Sequence, residues 1–406
     1  MSVKPESGGV CAPQGFLAAG LHCGLAKKAN KKDLALIYSR VPCTAAAVYT
    51  RNKVKASPLA VTKEHLADGK AQAVICNSGN ANACNADGVE VALRMCKATA
   101  KALRLSPKDV VVASTGVIGQ PLPVKLVEKA LPKLGAALSP EGSADAKAAI
   151  MTTDLLEKEI AVSFLLGDTV CKIGGIAKGS GMIHPNMGTM LAFLTTDVDI
   201  SSAMLQKALD TIVPNTFNMV SVDGDTSTND MAVVLANGMA GNPTIEESGE
   251  DYDLFVKALT HVCIYLSRMI AKDGEGATKL LECMVYGAPN ETTAKVLAKS
   301  VICSSLFKAA MFGADANWGR ALCALGYADA DFDVSRVKIS FASLAGSITV
   351  CDKGAGIPFS EEKAKQILLE SEIEIMVELF QGEGSAVAWG CDLSYDYVKI
   401  NGDYRS

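Results

Sequence analysis

The sequence predicts a mixed α/β or α+β protein, and three observations carry that prediction. Short apolar runs of strand length alternate with stretches whose apolar residues recur at helical spacing. Gly167 and Asp168 separate two strand-like segments as a two-residue hairpin turn would. Glycine is plentiful, at 35 of 406 residues, while aromatic side chains make up only 5%, which suits a compact chain with many tight turns better than a coiled coil. The alternation is too loose to specify a doubly wound sheet.

The elements follow in order. Ser57 and Pro58 read as the N-cap and first position of a helix running to about Asp68, before Gly69. Residues 71–76 form an apolar strand that enters a loop, 77–88, dense in Asn, Gly and Ala. Val89, Leu93, Cys96, Ala100 and Leu103 mark the apolar face of the next helix. Residues 110–113 form a buried strand ending in Ser114-Thr115-Gly116, and 158–166 and 169–176 are the arms of the hairpin. Strands are expected at 190–194, 217–222 and 280–286, and helices at 203–212 and 252–271. A helix-rich stretch, 292–312, precedes short strands at 338–341, 347–351, 372–379, 386–391 and 397–400. At roughly 100–200 residues per domain, 406 residues make two or three domains. The boundary is placed at 282/283.

Composition excludes several classes of function. The net charge is −5 and there is no dense Lys/Arg run, so nothing offers the basic face that a phosphate backbone needs. No apolar run of 18 residues reads as a membrane span, and residues 1–9 have neither a signal-peptide core nor an Arg-rich presequence, so a cytoplasmic protein is expected. The 13 cysteines are odd in number and form no CxxC pair. Cys76, Cys96, Cys263 and Cys323 sit in apolar patterns and read as buried free thiols. The four histidines are scattered, which argues against a zinc site. Asp223, Asp225 and Asp230 suggest a hard-cation loop, but the EF-hand pattern fails because Ser227 and Thr228 stand where a ligand and a glycine belong. The segment reads better as a hydrogen-bonded loop supporting a catalytic face.

The segment 178–197, KGSGMIHPNMGTMLAFLTTD, carries the chemistry. Small and polar residues run directly into an apolar strand, and Thr189 stands at its start behind Gly188. A threonine becomes an effective nucleophile when its own α-amine is free to act as base. That amine titrates near 7.7–8.0, whereas a lysine, near 10.4, would need a strong perturbation. Freeing it requires cleavage before Thr189, and the Thr189 hydroxyl can attack the uncrowded Gly188 carbonyl itself. A glycine turn such as Ser114-Thr115-Gly116 can supply oxyanion donors.

Together with ASTGVIG (113–119), MTTD (151–154), SVDGDTSTND (221–230), GADANWGR (313–320) and the terminal YDYVKINGDYRS (395–406), this segment resembles the ornithine acetyltransferase family, the bifunctional glutamate N-acetyltransferases of arginine biosynthesis. The motifs stand in register over nearly the whole chain. The resemblance implies a layered α/β sandwich with self-processing N-terminal-nucleophile chemistry in 1–282 and a smaller α+β domain in 283–406 that completes the substrate pocket. It implies cleavage between Gly188 and Thr189, giving chains 1–188 and 189–406 that stay together, two of each. Gly188 replaces the family's usual Ala. The implied roles are nucleophile for Thr189, oxyanion stabilisation for Thr115 and Gly116, and substrate binding for Thr152, Lys178, Thr189, Glu275, Asn401 and Ser406. The implied reaction moves acetyl from N2-acetylornithine to glutamate through an acetyl-Thr189 ester, without metal or organic cofactor. Acetyl-CoA as a second donor stays open. The alternative is a related self-cleaving aminopeptidase or amidohydrolase, which would hand the acyl group to water.

Overall fold

The computed structural model describes residues 3–28, 30–184 and 190–403, so Gly188, Thr189 and Ser406 lie outside the described residues. The chain forms two compact units, one of residues 1–179, 185–218 and 226–266, the other of residues 180–184, 219–225 and 267–406. This division differs from 282/283 because residues 280–288 form an interior strand of the second unit's sheet.

The strands of the first unit are β1 (Lys4–Glu6), β2 (Phe16–Leu21), β3 (Leu34–Tyr49), β4 (Lys70–Asn77), β5 (Val110–Ser114), β6 (Lys158–Leu166), β7 (Thr169–Lys178) and β8 (Leu191–Thr196). β9 (Val220–Ser221) belongs to the second unit and β10 (Met231–Ala236) to the first. Among the described residues the first sheet has nine strands in the order β1-β6-β7-β8-β10-β3-β4-β5, with β2 added on β3. Pairing is mostly antiparallel; β8–β10 and β4–β5 are parallel. The helices of this unit are α1 (Ser57–His65), α2 (Gly88–Leu103), α3 (Val124–Ala136), α4 (Ser143–Ile150), α5 (Ser202–Ile212) and the first part of α6 (Glu250–Lys272). Successive residues of a strand point to opposite faces, and β4 shows the consequence. Val74 and Cys76 pack with Ala146, Ala149 and Ile150 of α4, whereas Ala73 and Ile75 pack with Val91 and Met95 of α2 and Val127 and Leu131 of α3. The sheet is thus covered on both faces, in a layered α/β arrangement.

The second unit holds β11 (Leu280–Ala288), β12 (Lys338–Ser343), β13 (Gly346–Asp352), β14 (Ala355–Gly356), β15 (Glu372–Glu378) and β16 (Gly384–Cys391), with β9 at one edge. Their order is β14-β13-β12-β15-β11-β16-β9. Its helices are α7 (Glu291–Cys303), α8 (Ser305–Phe312), α9 (Trp318–Gly326), α10 (Glu361–Leu368) and α11 (Tyr395–Gly402).

Several expectations need correction. Residues 397–400 are helical in α11 because the Ser394 side chain accepts the Asp396 N–H and caps a helix there. Of 217–222 only Val220 and Ser221 are strand; they pair with Trp389 and Gly390, behind a 3-10 turn at Phe217–Met219. Ser57 is the first helical residue, one position later than the cap expected of it. Cys76, Cys96 and Cys263 are buried, and burial pushes the first two thiols up to about 12, but Cys323 is exposed, on the face of α9 opposite Ala321, Ala324 and Leu325. Finally, α6 is long and apolar enough to cross a membrane by length and composition, although half of its most apolar window is buried inside the protein. Phe255, Leu259, Val262 and Leu266 make it a core helix.

Candidate functional site

In the first unit, β5 ends in a turn that the surrounding loops hold in place. The Thr115 N–H donates to the Asn77 carbonyl at 2.9 Å, and the Ser114 hydroxyl donates to Asn77 Oδ1 at 2.6 Å. Asn229 Nδ2 donates to the Ser114 and Ala81 carbonyls, each at 2.7 Å. Gly116 has φ +131°, and a Cβ there would strike the backbone of Gly79 and Asn80, so only glycine makes this turn. The Thr115 N–H is therefore occupied. The donors this turn can offer a developing oxyanion are the Thr115 hydroxyl and the Gly116 N–H, rather than two consecutive backbone amides.

β7 ends at Lys178, which is buried, and its Nζ donates to Thr115 Oγ1 at 3.3 Å. Directly after it, the Gly179 N–H donates to Asp154 Oδ1 at 2.7 Å. Asp154 also accepts from Lys158 Nζ at 2.8 Å and from the Thr152 N–H at 2.9 Å, and both side chains of its ion pair with Lys158 have no exposed surface. Burial alone would raise the Asp154 carboxyl, but Lys178, Lys158 and the donors around it hold it well below the usual carboxylate range. Thr115, Thr152 and Lys178, chosen from motifs up to 63 residues apart, thus share one hydrogen-bonded cluster, and Gly116 follows Thr115 directly in the turn. Asp154, Lys158 and Asn229 are its supports and were not singled out from the sequence. Asp154 stood in plain view in MTTD, two residues after Thr152.

In the second unit, Glu275 is buried on a loop whose N–H donates to the Ser180 carbonyl at 2.9 Å. Asn401 Nδ2 donates to Glu275 Oε2 at 2.8 Å, joining two more of the expected residues. Gly181 lies under the Glu275 carboxylate, where a Cβ would collide with it. Among the described residues Glu275 makes no ion pair, so its charge is open to a cationic ligand. Asp223 accepts from the Met182 and Ile183 N–H groups at 2.6 and 2.9 Å, and the Tyr397 hydroxyl donates to it at 3.4 Å. It serves as a hydrogen-bonding post for residues 180–184. Asp230 falls in the other unit, so the acidic segment does not act as one loop. Among the described residues no three His, Cys, Asp or Glu side chains converge as metal ligands would. A cavity of about 330 Å³ lined by Leu306, Asn317, Arg320, Cys323 and Tyr327 contains none of the residues named for the site.

A glycine-only turn with a buried lysine beside it, at the end of a strand in a sheet covered on both faces, is an arrangement that acyl-transfer chemistry can use. The ArgJ family model matches residues 17–406. An arginine biosynthesis bifunctional protein of Clostridium acetobutylicum is 52% identical over 392 residues, 96% of each chain. Its counterpart in Caldanaerobacter subterraneus subsp. tengcongensis is 51% identical over 395 residues, covering 97% of this chain and 98% of the other. The crystal structure of the Bacillus halodurans protein of the same name is 46% identical with a TM-score of 0.51, covering 53% of this chain and 99% of that one. The chain belongs to the ArgJ family, and it is an acyltransferase of arginine biosynthesis.

Proposed function

We propose that this chain cleaves itself between Gly188 and Thr189 and then moves acetyl from N2-acetylornithine to glutamate through an ester on Thr189. Thr189 Oγ attacks the Gly188 carbonyl, the resulting ester hydrolyses, and the freed α-amine becomes the base for the same hydroxyl. The hydroxyl then attacks the acetyl carbonyl while the Thr115 hydroxyl and Gly116 N–H receive the oxyanion, each such donor being worth roughly 3–4 kcal/mol. Ornithine leaves, and the glutamate amine takes the acetyl group from Thr189, giving N-acetylglutamate by ping-pong kinetics. Lys178 pairs with a substrate carboxylate, Glu275 with the donor's terminal ammonium, and Thr152, Asn401 and Ser406 supply neutral hydrogen bonds. No metal or organic cofactor enters the scheme, and acetyl-CoA is a second donor to be tested alongside. Processed chains 1–188 and 189–406, two of each, would form a cytoplasmic heterotetramer.

The observation that carries this reading is Lys178 Nζ against Thr115 Oγ1, a carboxylate-binding cation beside an oxyanion donor. The half-length crystallised relative supports the processing step, because 53% of this chain is close to the share of residues 189–406, which are 218 of the 406. The test is the intact mass of the purified protein beside Thr189→Ala. Two wild-type fragments dividing at 188/189 and one uncut variant chain are expected. An uncut, active wild type would remove the free amine on which the mechanism depends.

A further inference from the structure

The cluster around Asp154 holds more positive charge than it neutralises. Lys31, on the connection between β2 and β3, donates from Nζ to the Thr152 carbonyl at 2.9 Å. Burial lowers the pKa of its ammonium, Asp154 opposes that shift, and Lys178 adds to it, so the two lysines feel each other and the same carboxylate. The Asp154 oxygens are already engaged by Lys158 and by the N–H groups of Thr152 and Gly179. Asp33, the other carboxylate acting on Lys31, accepts from the Cys23 and Ala26 N–H groups at 2.6 and 2.8 Å. Among the described residues neither Lys31 nor Lys178 has an ion-pair partner; their bonds go to a carbonyl and a hydroxyl. Two ammonium groups, one half-buried and one buried, that share a single nearby carboxylate and donate only to neutral oxygens suit a ligand with two carboxylates.

The proposed donor and acceptor differ in that respect. N2-acetylornithine has one carboxylate and a terminal ammonium; glutamate has two carboxylates. The α-carboxylate is common to both and lies two bonds from the reacting nitrogen, so its partner belongs beside the oxyanion donors, where Lys178 touches Thr115. We infer that Lys31 recognises the side-chain carboxylate of the acceptor and thereby selects glutamate over neutral amino acids. This assignment rests on the transfer proposed above and adds a residue to it. The same charge repels the donor's terminal ammonium, so its removal should not weaken the donor.

The test separates the two half-reactions in full-length protein. Single-turnover acetylation by N2-acetylornithine, read by intact mass, and steady-state kinetics with glutamate and glutamine are compared for wild type, Lys31→Gln and Lys31→Arg. Lys31→Gln should raise KM for glutamate about tenfold or more and shrink the preference for glutamate over glutamine, with enzyme acetylation within about twofold of wild type. Lys31→Arg should keep most of the glutamate affinity. An unchanged glutamate KM in Lys31→Gln, or equal losses in both half-reactions, would overturn the assignment, the latter by making Lys31 a prop for Thr152. A wild-type protein that takes up no acetyl group would overturn the transfer scheme as well.

Discussion

Asp154 is the single side chain on which most of the first unit's site depends. Its carboxylate joins Lys158, the Thr152 N–H and the Gly179 N–H, and so fixes the backbone on both sides of the expected binding residues. Removing one partner of a buried pair leaves the other charge uncompensated, so Asp154→Ala should cost roughly 3–5 kcal/mol in a denaturant titration. Replacing both, as Asp154→Leu with Lys158→Met, should recover most of that stability. It should not recover acetyl transfer, because Thr152 and Gly179 would still lack their acceptor. Full activity in the double variant would reduce Asp154 to a folding role. The pH dependence follows from the sign of its shift. The folded pKa lies below the unfolded value of about 3.9, so the ionised pair contributes its full stability above that value and loses it as the pH falls below about 4. A plot of stability against pH should therefore be flatter below pH 4 in the double variant than in wild type.

At the level of elements, the turn after β5 and the loops that clamp it decide how the Thr115 hydroxyl and Gly116 N–H, the proposed oxyanion donors, are aimed. Asn229→Ala would leave the Ser114 and Ala81 carbonyls without the donor they share. The expected stability cost is roughly 1–3 kcal/mol. Because the Ser114 carbonyl belongs to the peptide leading into Thr115, kcat should fall more than KM rises. A stability loss with kcat unchanged would mean that the clamp only holds the loops together. Much of this scaffold was legible in the chain itself. Helix α2 and the β6–β7 hairpin stand where apolar spacing and Gly167 placed them, because local pattern and tertiary burial agree there. α11 was misread because Tyr397, Val398 and Ile400 look like a strand until the Ser394 cap is seen. Asn229 stood in a segment suspected of a supporting role, but nothing in its spacing pointed to carbonyls 148 and 115 residues away. Lys31 was invisible for a different reason. In KKANKK it reads as one solvated charge among several, and only the fold brings it to Thr152.

At the scale of the whole molecule, processing at 188/189 would cut the chain without separating its products. β1 to β7 would fall in one product and β8 to β16 in the other, yet β8 and β10 lie in the interior of the first sheet, between β7 and β3. Six residue pairs from Ile173↔Thr196 to Lys178↔Leu191 join β7 to β8, and six from Met231↔Tyr49 to Ala236↔Thr44 join β10 to β3. The second unit is shared too, since the Val222 N–H donates to the Ile183 carbonyl at 2.7 Å and Asp223 holds Met182 and Ile183. Separation would expose four strand edges and the apolar faces of a covered sheet, which water does not compensate. The processed protein should therefore elute as one species in native size-exclusion chromatography, with both fragments in its peak on a denaturing gel. In urea, release of the fragments should coincide with loss of the sheet signal, because the interface is the fold itself. Fragments that part under native conditions, each retaining its own circular-dichroism spectrum, would show that these strands pair across a weaker boundary than their burial implies.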